Sequence, residues 1–159
     1  MDKDQQALGE QACEKALKYE LDYGCCPQCV LAAVQETVGI VDDQTIKASH
    51  GLSGGGGLVG EGLCGALSGG LLALSAKYGR DRDKLDRGRY INNFKKAREL
   101  TDRFRAEFGG VTCRELQQQF TGRTYDCLLY TSPASGPNPA METNRATSGG
   151  REGSSIPAR

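Results

Sequence analysis

The chain has 159 residues, enough for one domain with a real core, and its formal net charge is zero, which removes any global case for nucleic-acid or membrane-surface binding. Seven Cys, a single His (His50) and no Trp leave histidine-dependent catalysis one candidate residue and direct attention to sulfur. Charge is uneven: residues 1–50 hold four Lys and nine Asp/Glu, whereas residues 77–105 hold eleven Lys/Arg and five Asp/Glu. The plain reading of that asymmetry is a set of solvated helix faces; its functional counterpart is docking of an acidic partner.

Residues 4–23 predict an amphipathic helix, with Leu8, Ala12, Ala16, Leu17 and Leu21 at helical spacing and Gly24 as its stop. The next helix is expected to start at Cys26 as N-cap with Pro27 in the first helical position, and to carry Val30, Leu31, Ala33, Val34 and Val38 to Gly39. Asp42 or Asp43 caps a short third helix through Ile46 and Ala48. From Gly51 to Gly70 half of the residues are glycine. The segment Cys64 to Tyr78 still predicts a helix, with a small stripe of Gly65, Gly69 and Ala73 and an apolar stripe of Leu67, Leu71 and Leu74. The small stripe suits very close approach of another helix, and Gly79 serves as the cap.

Arg80 to Arg89 is a charged turn. Tyr90, Phe94, Ala97, Thr101, Phe104 and Phe108 then give the strongest periodicity in the chain and predict a long helix ending at Gly109-Gly110. Thr112 and Glu115 form a capping box around Cys113, opening a short helix through Leu116 and Phe120. No run of alternating β-branched residues appears. The expectation is an all-α compact bundle of about five to six helices, with a Gly-rich loop before the central helix. The domain should span residues 4–126. Residues 131–159 are rich in Pro, Gly, Ser, Thr, Asn and Arg, and residues 127–159 read as a disordered or artefactual tail. Cys127-Leu128-Leu129-Tyr130-Thr131-Ser132 resembles translated sequencing-adapter sequence.

The N-terminus lacks the basic and apolar regions of a secretory signal, and no apolar run reaches membrane-spanning length, so a cytoplasmic location is expected. In that reducing compartment the cysteines read as redox or metal groups rather than as a disulfide scaffold. Cys26, Cys64 and Cys113 each fall where a helix should begin. Unpaired N–H groups and the helix dipole favour thiolate there. Cys26-x-x-Cys29 places two sulfurs on one helical turn, and Cys25 adds a neighbouring thiol. Buried, packed thiols are the bland alternative. Gly60-x-Gly62-x-x-Gly65 formally matches a dinucleotide fingerprint, but no strand precedes it and no Walker A sequence follows, so the glycines read as a tight loop with close helix packing.

Cys26, Gln28 and Val30, then Cys64-Gly65-Ala66-Leu67-Ser68-Gly69, Lys77-Tyr78-Gly79 and Cys113-Arg114-Glu115-Leu116, together resemble the C-GCAxxG-C-C family of redox-active proteins over residues ~8–126. The resemblance implies a small all-helical domain with four hallmark cysteines. Cys26, Cys64 and Cys113 match three of them, and the fourth would lie beyond Asp126. Relatives that carry haem make electron transfer and iron–sulfur or haem association part of what it implies, although covalent c-type haem has no Cys-x-x-Cys-His here.

The function expected is therefore redox or electron transfer, by thiol–disulfide exchange or iron–sulfur ligation, with a redox protein as partner. Cys26 is expected as nucleophile or first ligand, Cys29 as resolving thiol, and Cys64 and Cys113 as relay thiols. The same four cysteines are the candidate metal ligands. Gly62, Gly65 and Gly69 are the candidate cofactor-binding positions, admitting backbone close to the site and offering N–H groups to sulfur. The alternatives are a structural zinc site held by four thiolates and a helical interaction module. Homodimerisation through the small stripe or the long helix is a further use of the same surfaces.

Overall fold

A computed structural model describes residues 3–125. The expected tail at 127–159, with Cys127, lies outside those residues. Among the described residues the chain is all-α. Six helices run in order: α1 (Lys3–Tyr23), α2 (Cys26–Val38), α3 (Asp43–Ala48), α4 (Gly65–Tyr78), α5 (Ile91–Phe108) and α6 (Cys113–Thr121), with short 3-10 turns at His50–Leu52 and Arg82–Lys84.

The link between α1 and α2 is two residues long, and both are left-handed: Gly24 has φ +69° and Cys25 φ +71°. This corrects the expected cap. Cys25, not Cys26, is the N-cap residue, and Cys26 is already helical with Pro27 in the first turn. The tight reversal lays α1 back along α2, so the last turn of α1 overlies the first turn of α2. Of the α1 residues expected to be apolar anchors, Leu17 and Leu21 are exposed, at 61% and 58%. The half-buried face instead includes Ala12, Ala16, Tyr19 and Glu20. No residue of α1 is fully buried, so its contact with α2 is made by half-buried side chains.

The core sits between α2, α4 and the α2–α3 connection. Leu31, Val41 and Ala73 are buried together, with Val34, Ile40, Ile46 and Leu72 packed against them. Asp42 caps α3 by accepting from the Thr45 N–H at 2.7 Å. On α4 the buried residues are Gly65, Leu67, Ser68, Gly69 and Ala73, whereas Leu71 and Leu74 are half-buried. The small stripe is therefore the packing face, as expected, and its counterpart is α2. A Cβ added at Gly69 would lie 3.0 Å from the Pro27 carbonyl and 3.0 Å from Val30 Cβ. α5 forms as its periodicity predicts and packs on α4, where Leu100 Cδ2 lies 3.1 Å from the Cβ position of Gly70. Gly79 does end α4, but its backbone is extended rather than left-handed; glycine is required because a Cβ would collide with the Ser75 carbonyl.

Candidate functional site: the cysteine-bearing helix starts

Three helix starts adjoin. α4 begins directly on α2: a Cβ at Gly65 would stand 2.9 Å from Cys26 Cβ and 2.8 Å from Pro27 Cδ. Cys64, the N-cap residue of α4, is thereby brought beside Cys26, close enough for its charge to act on the Cys26 thiol.

The start of α6 is stitched to the residues before α4. Leu63 and Thr112 form an isolated antiparallel bridge, with Cys64 N donating to Val111 O at 2.8 Å and Cys113 N to Gly62 O at 3.1 Å. Arg114 N donates to Gly60 O at 3.0 Å, and the Arg114 guanidinium pairs with Glu61 at 2.5 Å. The Thr112–Glu115 capping box is present as expected. Two backbone N–H groups, of Thr112 and Val111, hold the Glu115 carboxyl below its usual range.

The glycine loop is self-contained. Gly57 N donates to Gly51 O, Gly60 N to Gly54 O and Gly62 N to Gly55 O, each at 2.8 Å. Gly60 holds φ +82°, a turn that a side chain rarely adopts. Gly62 thus spends its N–H on the loop, and its missing Cβ admits the Gly55 carbonyl. Gly65 and Gly69 are placed by packing against α2.

Cys13, Cys25, Cys26, Cys29 and Cys64 carry free thiols. Cys26 Sγ donates to Glu20 Oε1 at 3.2 Å, across the α1–α2 reversal. Burial pushes the Cys26 thiol well above its usual range, and the Glu20 carboxylate and the Cys64 thiol push it further. Burial, followed by Glu20, likewise pushes Cys29 up to about 12. The expectation that a helix start would make Cys26 a thiolate is overturned: desolvation and an adjacent carboxylate outweigh the N-terminal N–H groups.

Cys29 shares Glu20 with Cys26 as a neighbour. Its thiol donates to Gly24 O at 2.9 Å, and Cys25 is its thiol neighbour. It lines a groove of about 370 Å³ with Tyr19, Tyr23, Gln28, Glu36 and Ile46. Tyr19 donates to Glu36 at 2.6 Å, and Lys15 pairs with the same carboxylate at 2.5 Å. Cys113 accepts from Gln117 Nε2 at 3.6 Å.

The structure therefore joins Cys26 to Cys64 through helix packing, and Cys64 to Cys113 through backbone pairing, while Cys29 lines the groove beside Tyr19. Among the described residues, no three His, Cys, Asp or Glu side chains gather as a metal ion requires. An iron–sulfur cluster or a tetrahedral zinc site takes four ligands.

Glu20 is the residue the sequence reading missed. A signal for it exists: Ala12, Ala16 and Glu20 recur at i, i+4, i+8, a small-residue face that ends in a carboxylate six residues before Cys26.

This is an all-helical domain whose cysteines stand at adjoining helix starts. The chain belongs to the family described as "Putative redox-active protein (C_GCAxxG_C_C)", whose sequence profile matches residues 24–136. That match takes in Cys26, Cys64 and Cys113 and begins at the α1–α2 link, later than the resemblance over ~8–126. No curated protein and no solved structure matches the chain. No helix among the described residues is long and apolar enough to cross a membrane.

Proposed function

We propose that the protein carries out thiol–disulfide exchange, with Cys26 and Cys64 as the pair that cycles between dithiol and disulfide. The observation that supports it is the seating of Gly65 on Cys26, which leaves 2.9 Å between Cys26 Cβ and a Cβ at Gly65. Family membership supports a redox role in general terms.

The roles differ from those the sequence suggested. Cys26 is held as a thiol by burial and Glu20, so Cys64, half-buried at the α4 N-cap, is assigned as the attacking sulfur. Its sulfur attacks an incoming disulfide RSSR, forming Cys64–S–SR and releasing one RS⁻. Cys26 then attacks the Cys64 sulfur, closing Cys26–S–S–Cys64 and releasing the second RS⁻. The two thiol protons leave with the two RSH products, and two electrons pass from the protein sulfurs to RSSR.

The experiment is oxidation of a Cys25→Ser/Cys29→Ser variant with a small disulfide, followed by tryptic peptide mapping without reduction. A cross-link joining the Cys26 and Cys64 peptides is expected. A disulfide that in the native chain joins Cys26 to Cys29 instead, with no Cys64 link, would overturn the pairing.

A further inference from the structure

The geometry points to Glu20 as the residue that sets the redox poise of the Cys26–Cys64 pair, by stabilising its dithiol form. This rests on the exchange reading above and adds a residue to it. Glu20 lies in the last turn of α1, where the two-residue reversal at Gly24-Cys25 folds it over the first turn of α2. Its Oε1 accepts the Cys26 S–H at 3.2 Å. Its Oε2 is buried and has no hydrogen-bond partner. Two thiols face this carboxylate: Cys26 donates to it directly, and Cys29, which donates to Gly24 O at 2.9 Å, stands close enough to interact with it as well. The Cys26 proton is the direct donor to Glu20.

Oxidation removes that proton. In Cys26–SH + Cys64–SH + RSSR → Cys26–S–S–Cys64 + 2 RSH, Cys26 ceases to be a donor. A carboxylate that already has one orphaned, buried oxygen then loses its direct S–H donor. Loss of that donor from a half-buried carboxylate with one oxygen out of water is costly, because the hydration removed there is less fully replaced. The penalty falls on the disulfide state alone and shifts the equilibrium towards dithiol. A glutamine at the same place accepts the S–H in the reduced state through its amide oxygen. It carries no charge to be stranded in the oxidised one.

The test is equilibration of the full chain and of Glu20→Gln in reduced/oxidised glutathione mixtures, with the Cys26–Cys64 disulfide quantified by mass spectrometry. Glu20→Gln should form half its disulfide at a roughly tenfold lower oxidised-to-reduced ratio than the native chain. An unchanged midpoint, or a shift the other way, overturns the proposal while leaving the exchange reading intact. Absence of any Cys26–Cys64 disulfide in the native chain takes down both. A second comparison covers a misfolded Gln variant. Under reducing conditions Cys26→Ala should lower the thermal midpoint more than Cys26→Ser, which keeps a donor for Glu20. Equal losses from the two substitutions overturn the proposal without reference to Glu20→Gln.

Discussion

The α2–α4 seam and the α5–α6 edge are built from opposite materials. At the seam the helices meet closely: Gly65 and Gly69 on α4 leave room for Pro27, Cys26 and Val30 on α2, and the α4 residues involved are small and buried. At the edge, contact is made by the ends of large rings, with Phe104 and Phe108 centroids 4.6 Å apart and Phe108 and Phe120 6.4 Å apart. No residue of α5 or α6 is fully buried, although both helices carry a clear apolar periodicity. Periodicity reports that a helix has a face; it does not report how deeply the face is covered. Small residues at helical spacing report closeness, and closeness is what sets two thiols side by side.

The comparison breaks most sharply at Gly69. A leucine there would need space now held by the Pro27 carbonyl and Val30 Cβ, both at 3.0 Å from the first added carbon. Neither can rotate away, so the helices must separate and uncover Leu31 and Ala73. Gly69→Leu should lower unfolding free energy in urea by about 3 kcal/mol. It should also abolish the Cys26–Cys64 cross-link. A loss of stability no greater than that of a surface substitution would show that the seam is loose.

The thiols sharpen the same contrast through pH. Cys29 titrates at about 12 against an ordinary 9.0. At pH 8 its alkylation by iodoacetamide should run ~two to three orders of magnitude slower in the folded chain than in urea. Above pH 8.5 the unfolded chain sheds thiol protons that the folded chain keeps at Cys26 and Cys29. The unfolded state then binds fewer protons, so stability falls as pH rises. The stabilisation from these thiols is complete below about pH 8.5 and is lost progressively towards pH 12. A urea midpoint that stays flat from pH 8 to 10.5 would contradict the buried environment of both groups.

Much of this was legible in the residues. Helix ends followed from Gly24, Gly39, Asp42, Gly109 and the Thr112–Glu115 box, because caps and stops act through local backbone chemistry. The Gly65–Gly69–Ala73 face was legible because a stripe of missing side chains lets another helix approach closely. The thiol chemistry was not. Whether Cys26 ionises depends on Glu20, brought to it by the Gly24-Cys25 reversal, and on depth of burial. Neither is a property of the sequence around Cys26. Cys26 and Cys29, one helical turn apart, share Glu20 as a neighbour, while Cys26 also meets α4 and Cys29 lines the groove beside Tyr19.

The α6 cap gives a smaller effect. Thr112 accepts from Glu115 N at 3.2 Å, and Glu115 accepts from the N–H groups of Val111 and Thr112. Thr112→Ala should cost about 1 kcal/mol in urea unfolding. Because Glu115 titrates below its ordinary value when folded, its contribution is present above about pH 4.3 and disappears as pH falls through the folded value. The penalty of Thr112→Ala should accordingly shrink in acid. The cap also holds the bridge that carries Cys113 to Gly62, so the variant should loosen amide protection at Cys64 and Cys113 before it affects Leu31.

The edge should give the least. Phe94 is a full aromatic ring in the apolar periodicity of α5, yet it is 64% exposed. Truncation to alanine removes little burial and leaves no cavity. Alanine is also the better helix former, which offsets part of whatever contact is lost. Phe94→Ala should therefore stay within about 0.5 kcal/mol of the native chain in urea unfolding and leave the Cys26–Cys64 cross-link unchanged. A loss of 2 kcal/mol or more (roughly what a buried aromatic gives) would mean that the ring is covered in solution. A midpoint that also rises with protein concentration would place that cover on a second copy of the chain, and the α5 face would then be as much a packing surface as the α2–α4 seam.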